Sequence, residues 1–174
     1  MTFASFPGRL LPSRRAIHNF LTAHPALPLH TIAMKNRSVP SDSVVPHVVY
    51  RSVPRACEWL TRVFGFTEHF RYGDPVSGIQ MRLGEAVIML HGPGNATETP
   101  TTLGFGTQML TVIVADVDAH YARSKQQGAI VWEELHETVY GERQYGVKDL
   151  DSHPWIFSQH VRDLSPEEWG GTSA

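Results

Sequence analysis

The sequence predicts an α+β fold: two βαβββ modules whose curved mixed sheets surround a concave cavity, with the helices outside. Three observations predict it. A strand–helix–three-strand pattern occurs twice, with the capping residues Ser52 and Asp116 about 64 positions apart. Each helix runs a similar distance from cap to stop, Ser52 to Gly65 and Asp116 to Gly128. Between the copies lies "GPGNATETPTTLGFGT", a Gly-, Pro- and Thr-rich stretch with no periodicity.

The first module is expected over residues 44–91. "VVPHVVY" is a β-rich run. Ser52 suits a helix N-cap and Pro54 its first turn. Ala56, Trp59, Leu60 and Val63 then form one apolar stripe at helical spacing. Cys57 falls off that stripe, and Gly65 stands where a left-handed C-cap is wanted. "FTEHFRY", "IQMRLG" and "EAVIMLH" read as strands separated by turns at Asp74-Pro75 and Gly84-Glu85. After a linker over residues 92–107, the second module spans 108–161. It comprises the strand "MLTVIV", a helix capped by Asp116 and stopped by Gly128, and the strands "AIVWEEL", "GERQYGVK" and "HPWIFSQHV". Residues 162–174 form a tail in which Ser165-Pro166-Glu167-Glu168 caps a short helical turn.

The chain has 174 residues, enough for a real core, and is 41% hydrophobic with a net charge of −2. That balance gives no reason to expect nucleic-acid or membrane binding. Cys57 is the single cysteine, so no intrachain disulfide and no thiolate-based zinc site can form. Residues 1–43 form an N-terminal extension rich in Pro, Ser, Arg and His; up to Ser41 it carries five basic residues and no acid. It reads as an organelle-targeting presequence, as a disordered tail, or as upstream sequence ahead of a true start at Met34. A cytoplasmic, intracellular protein is expected, with organelle targeting through residues 1–41 as the alternative.

The two-module layout, closing on "VYGERQYGVKDLDSHPWIF", resembles the vicinal oxygen chelate superfamily. That group includes glyoxalase I, extradiol dioxygenases, bleomycin-resistance proteins and fosfomycin-resistance enzymes. The last stretch is similar to the family's Y/W-G-x-R … D-P-x-G-H-x-W signature through Tyr140, Gly141, Arg143, Asp149, His153 and Trp155. Leu150 stands for its proline and Ser152 for its glycine. The resemblance implies the fold, a homodimer, and a pocket at or near the subunit interface.

Metal-using members take four ligands from four strands. The matching positions here are Val45, Met89, Met109 and Ile156, all apolar. Neither Val nor Ile can ligate a divalent ion, and a thioether is too soft for the usual metals. No metal cofactor is therefore expected; a divalent metal in a shifted register remains the alternative. Two residues along, strand parity turns His47, His91, Thr111 and Ser158 to the same face. These eight positions are the expected ligand-binding residues. His47 and His91 are the candidate catalytic groups, because imidazole shuttles protons near neutral pH.

Around the signature, Arg143 is expected to pin the hairpin through Asp149 or Asp151, and His153 to bond to local backbone. Arg143, Tyr145 and Val147 share one strand face, while Tyr140 precedes the strand. Trp59, Trp155 and Phe157 read as core. The expected function is metal-independent binding of a small apolar or aromatic molecule, with methionines lending adaptability. The alternatives are a glyoxalase-like lyase or isomerase or a dioxygenase-like enzyme, and a subunit that has kept the fold but lost the pocket.

Overall fold

The computed structural model describes residues 44–173; the expectations for the N-terminal extension lie outside them. The first module runs β1 (His47–Val49), α1 (Val53–Phe64), β2 (Thr67–Tyr72), β3 (Gly78–Leu83) and β4 (Ala86–His91). The second runs β5 (Leu110–Ile113), α3 (Val117–Gln126), β6 (Ile130–Glu137), β7 (Glu142–Lys148) and β8 (Pro154–His160). Each module makes one four-stranded sheet, ordered β1-β4-β3-β2 and β5-β8-β7-β6, with a parallel pair at one edge and antiparallel pairs elsewhere. This is the expected α+β architecture. The linker is not featureless: Thr99 caps a one-turn helix, α2 (Pro100–Leu103). A 3₁₀ turn over Pro166–Trp169 carries a full capping box between Ser165 and Glu168.

Helix α1 starts at Ser52 and stops at Gly65, whose φ of 80° needs a residue without a Cβ penalty. Its buried face is Val53, Ala56, Cys57, Leu60, Val63 and Phe64. The stripe is thus rotated from the expected one. Cys57 lies inside it, and burial pushes its thiol pKa up. Trp59 is only half-buried and packs edge-on against Phe64 at 4.9 Å. Phe64 also meets Trp155 at 5.8 Å and Phe157 at 4.8 Å, so the first helix plugs directly into the second sheet. One core, including Leu60, Met81, Leu90, Val112, Tyr145 and Trp155, runs through both modules.

Polar contacts fix how the modules meet. The last four carbonyls of an α-helix lack intrahelical partners. In α1 these belong to Thr61, Arg62, Val63 and Phe64, and side chains of α3 take all four. Arg123 donates to Thr61 O at 2.8 Å and to Arg62 O at 3.1 Å. Ser124 reaches Val63 O at 3.5 Å, and His120 Nε2 donates to Phe64 O at 2.9 Å. The other ring nitrogen, Nδ1, lies 2.6 Å from the Tyr145 hydroxyl, which also contacts Ser124 Oγ at 2.8 Å. With Nε2 donating to Phe64 O, the ring joins Tyr145 and Ser124 in one chain of polar contacts between the modules.

The other end of α1 is gripped by the β7–β8 turn. Asp149, 4% exposed, accepts from the Tyr50 hydroxyl (2.6 Å), Trp155 Nε1 (3.0 Å) and the backbone N–H groups of Asp151 and His153 (3.0 and 2.9 Å). Burial pushes its pKa up, opposed by the nearby His153 ring and by the bonds from Tyr50, Trp155 and the His153 N–H. Asp151 accepts from the backbone N–H and the guanidinium of Arg51. His153 Nε2 donates to Val49 O at 2.6 Å, 104 residues away in sequence. The "KDLDSHPW" segment is therefore an inter-module clasp, and the bond expected from His153 is long-range instead of local. Arg143 does not pin this turn: its fork holds Asp118 on α3 at 2.7 and 2.9 Å. The reason is parity. Arg143 shares the helix-facing side of β7 with Tyr145 and Val147, and α3 covers that side.

His120 gives the fold a pH signature. Burial holds its pKa below the ordinary histidine range, helped by Arg123 and opposed by the bond to Phe64. The unfolded state then binds more protons than the folded state just below the unfolded pKa of about 6.5, so this contribution is full above that value and lost as pH falls. Urea unfolding from pH 7 down to 5 should lose stability with a slope of at most about 1.4 kcal/mol per pH unit from this group. A His120→Gln variant should show a shallower slope; equal slopes would show that His120 does not titrate on unfolding.

Candidate functional site

The sheet faces turned away from the helices are the candidate surfaces. Register places His47, Met89 and Gln80 in one row on the first sheet, with Val49, His91 and Gly78 in the next. On the second sheet the corresponding rows are Thr111, Ile156 and Gly146, then Ile113, Ser158 and Gln144. The eight expected ligand-binding residues are therefore divided. Met109, Thr111, Ile156 and Ser158 line one cleft on the second sheet. Val45 precedes β1, and His47, Met89 and His91 lie on the first sheet. His47 lines a separate cavity of about 290 Å³ that the linker roofs with Leu103 and Phe105, and His153 is at its wall.

The second-sheet cleft encloses about 440 Å³, within the size range of small-molecule sites. Its wall is an aromatic platform. Strand β6 is bulged between Val131 and Glu133, and the extra residue, Trp132, falls across Gly146 on β7. A Cβ at Gly146 would come within 2.5 Å of the indole, so glycine is what lets the ring lie there. Trp132 remains 44% exposed, beside Ile113 at 62% and Met109 at 54%. Ile156 is buried beneath.

Polar groups line the same cleft. Glu142 accepts from the Ser158 hydroxyl at 2.7 Å and from His160 Nδ1 at 2.9 Å. Gln144 donates to Glu133 Oε1 at 2.9 Å and accepts from the Tyr140 hydroxyl at 2.9 Å. Tyr140, before the strand in sequence, is thereby swung over the cleft. Tyr145 is absent from it: the ring is fully buried in the core, and burial pushes its hydroxyl pKa up. Trp132, Glu133, Glu142 and Gln144 were not singled out by sequence reasoning. Parity could have found the last two, since they alternate with Arg143 and Tyr145 along "GERQYGVK". The bulge that aims Trp132 leaves no such mark.

On the first sheet the His47 and His91 rings lie 5.6 Å apart, and His91 Nδ1 is 2.9 Å from Gly92 O. Gln80, fully buried, bonds His69 Nδ1 through Oε1 and leaves Nε2 without a partner among the described residues. The four positions that the sequence resemblance matches to metal ligands carry side chains unsuited to a divalent ion. Val45 and Ile156 offer no donor atom, and Met89 and Met109 offer only thioether sulfur. The shifted set pairs two histidines on one sheet with Thr111 and Ser158 on the other. Among the described residues, no group of three or more His, Cys, Asp or Glu side chains is placed to hold a metal. Nor is any described helix long and apolar enough to cross a membrane.

Comparison with known proteins places this geometry. Residues 42–157 match the model of the Glyoxalase/Bleomycin resistance protein/Dioxygenase superfamily. Among solved structures, TioX from Micromonospora sp. ML1 is similar at 30% identity with a TM-score of 0.58, covering 71% of this chain and 99% of that one. The fosfomycin resistance protein FosX from Listeria monocytogenes shares the fold at 14% identity and a TM-score of 0.53, over 75% and 99% of the two chains. An uncharacterised protein of Mycobacterium tuberculosis strain H37Rv is 28% identical over 131 residues, 71% of this chain and 77% of that protein. Two βαβββ units and a match across most of the described residues carry one conclusion: the chain belongs to the Glyoxalase/Bleomycin resistance protein/Dioxygenase superfamily.

Proposed function

We propose that this chain is a metal-independent binding protein that takes a small apolar or aromatic molecule on the outer face of its second module. The observation that carries the reading is the 440 Å³ cleft in which the Trp132 indole packs against Gly146 and stays 44% exposed. An indole face held in place costs a ligand little ordering entropy when it stacks. The reading extends to a homodimer. Met109, Ile113 and Trp132 are large apolar side chains exposed together, as expected of a surface that a second copy covers in part. Sedimentation velocity should give a dimer, with Ile113→Glu driving it toward monomer; a wild-type monomer at all concentrations contradicts this part.

A planar, uncharged aromatic probe should bind the wild type and lose about tenfold or more in affinity in Trp132→Ala, as expected for one lost stacking partner. Unchanged affinity places the ligand elsewhere.

A second reading, a glyoxalase-like lyase or isomerase or a dioxygenase-like enzyme, is favoured by the close His47–His91 pair. The two readings part on metal. Titration with Zn, Ni, Mn and Fe(II) should leave melting temperature unchanged and no metal bound after desalting. Stoichiometric uptake with a clear rise in stability moves the enzyme reading ahead.

A further inference from the structure

The charges around the cleft narrow its ligand further than size and aromaticity do. Resting on the binding reading above, we infer that the ligand is a planar aromatic cation. Glu133 and Glu142 line the cleft, and no Lys or Arg does. The nearest arginine in sequence, Arg143, is committed on the opposite face of β7 to Asp118. Both glutamates are largely covered, with side-chain exposures of 25% and 22%. Glu142 uses one oxygen on Ser158 and the other on His160. Glu133 uses Oε1 on Gln144, and Oε2 accepts nothing from the described residues. His136 Nε2 also lies 3.5 Å from Glu133 Oε1, so both neighbours engage that oxygen and not Oε2.

A ligand seated on Trp132 drives water off both carboxylates. A neutral hydrocarbon face returns nothing for that loss, and an anion adds repulsion. A ligand N–H⁺ returns a charge-assisted hydrogen bond to Glu133 Oε2, while its delocalised charge sits over the indole face. The same cleft therefore selects among flat molecules by charge. Its carboxylates are spaced along two adjacent strands, on either side of the Gln144 amide, so the charged group is expected at the β6–β7 side of the ring.

The test compares three flat tricyclic probes on the full chain by titration calorimetry at about pH 8, above the ordinary imidazole pKa of about 6.5. They are 9-aminoacridinium as the cation, acridine as its neutral relative, and anthracene-9-carboxylate as the anion. The cation should bind at least about tenfold tighter than acridine, with the anion weakest. In the double variant Glu133→Gln and Glu142→Gln the cation's advantage should fall to about twofold, while acridine is little changed. Wild-type affinity for the cation, but not for acridine, should also fall as salt is raised, a readout independent of any variant. Equal binding of cation and acridine, or an advantage that survives both the double variant and high salt, overturns the charge inference and leaves the aromatic site standing. No binding of any probe overturns both.

Discussion

The structure depends on the way one helix end is satisfied. Helix α1 finishes with four carbonyls that lack intrahelical partners, and α3 of the other module supplies Arg123, Ser124 and His120 to take them. Val63 and Phe64 are buried, and their carbonyls left unpaired would cost about 1–3 kcal/mol each, so these contacts resist sliding of the modules. The clasp from Asp149, Asp151 and His153 fixes the opposite end of the same helix. Gripped at both ends, α1 presses Phe64 onto Trp155 and Phe157, and one core serves two sheets.

The site follows from that arrangement. The helices cover one face of each sheet, and the uncovered faces differ in chemistry. The first carries His47, His91, His69 and the half-satisfied Gln80. The second carries Trp132 over a glycine, flanked by Glu133 and Glu142. The four positions matched to metal ligands by sequence resemblance, Val45, Met89, Met109 and Ile156, are divided between the two modules, and none has a side chain with a hard donor atom.

Much of the fold was legible because it rests on local signals with strict periods. Ser52, Gly65, Asp116 and Gly128 bracketed the helices, and Tyr145, Trp155 and Phe157 gave strand parity. What failed to show were interactions that join distant residues or break a period. Arg143 was assigned to the turn beside it, because sequence proximity cannot reveal that α3 covers its strand face. His153 was read as local, although its partner is Val49. The helical stripe was set one notch off, since Trp59 is more hydrophobic in appearance than Cys57 but sits at the rim. At the site, Met109, Thr111, Ile156 and Ser158 line one cleft, as alternate residues on neighbouring strands do. Parity could not tell that His47 and Met89 face elsewhere, because that depends on how two sheets are joined. Nor could it find Trp132, which a bulge turns out of register.

The central claim is that the second module's outer face is where a ligand sits. Hydrogen–deuterium exchange of the full chain, with and without a saturating flat aromatic probe, reads this directly. The account predicts slowed exchange in β6, β7 and β8, centred on Trp132, Gly146 and Ile156, with the linker and β1 unchanged. Slowing confined to β1 and residues 92–107 would place the ligand in the His47 cavity and contradict it.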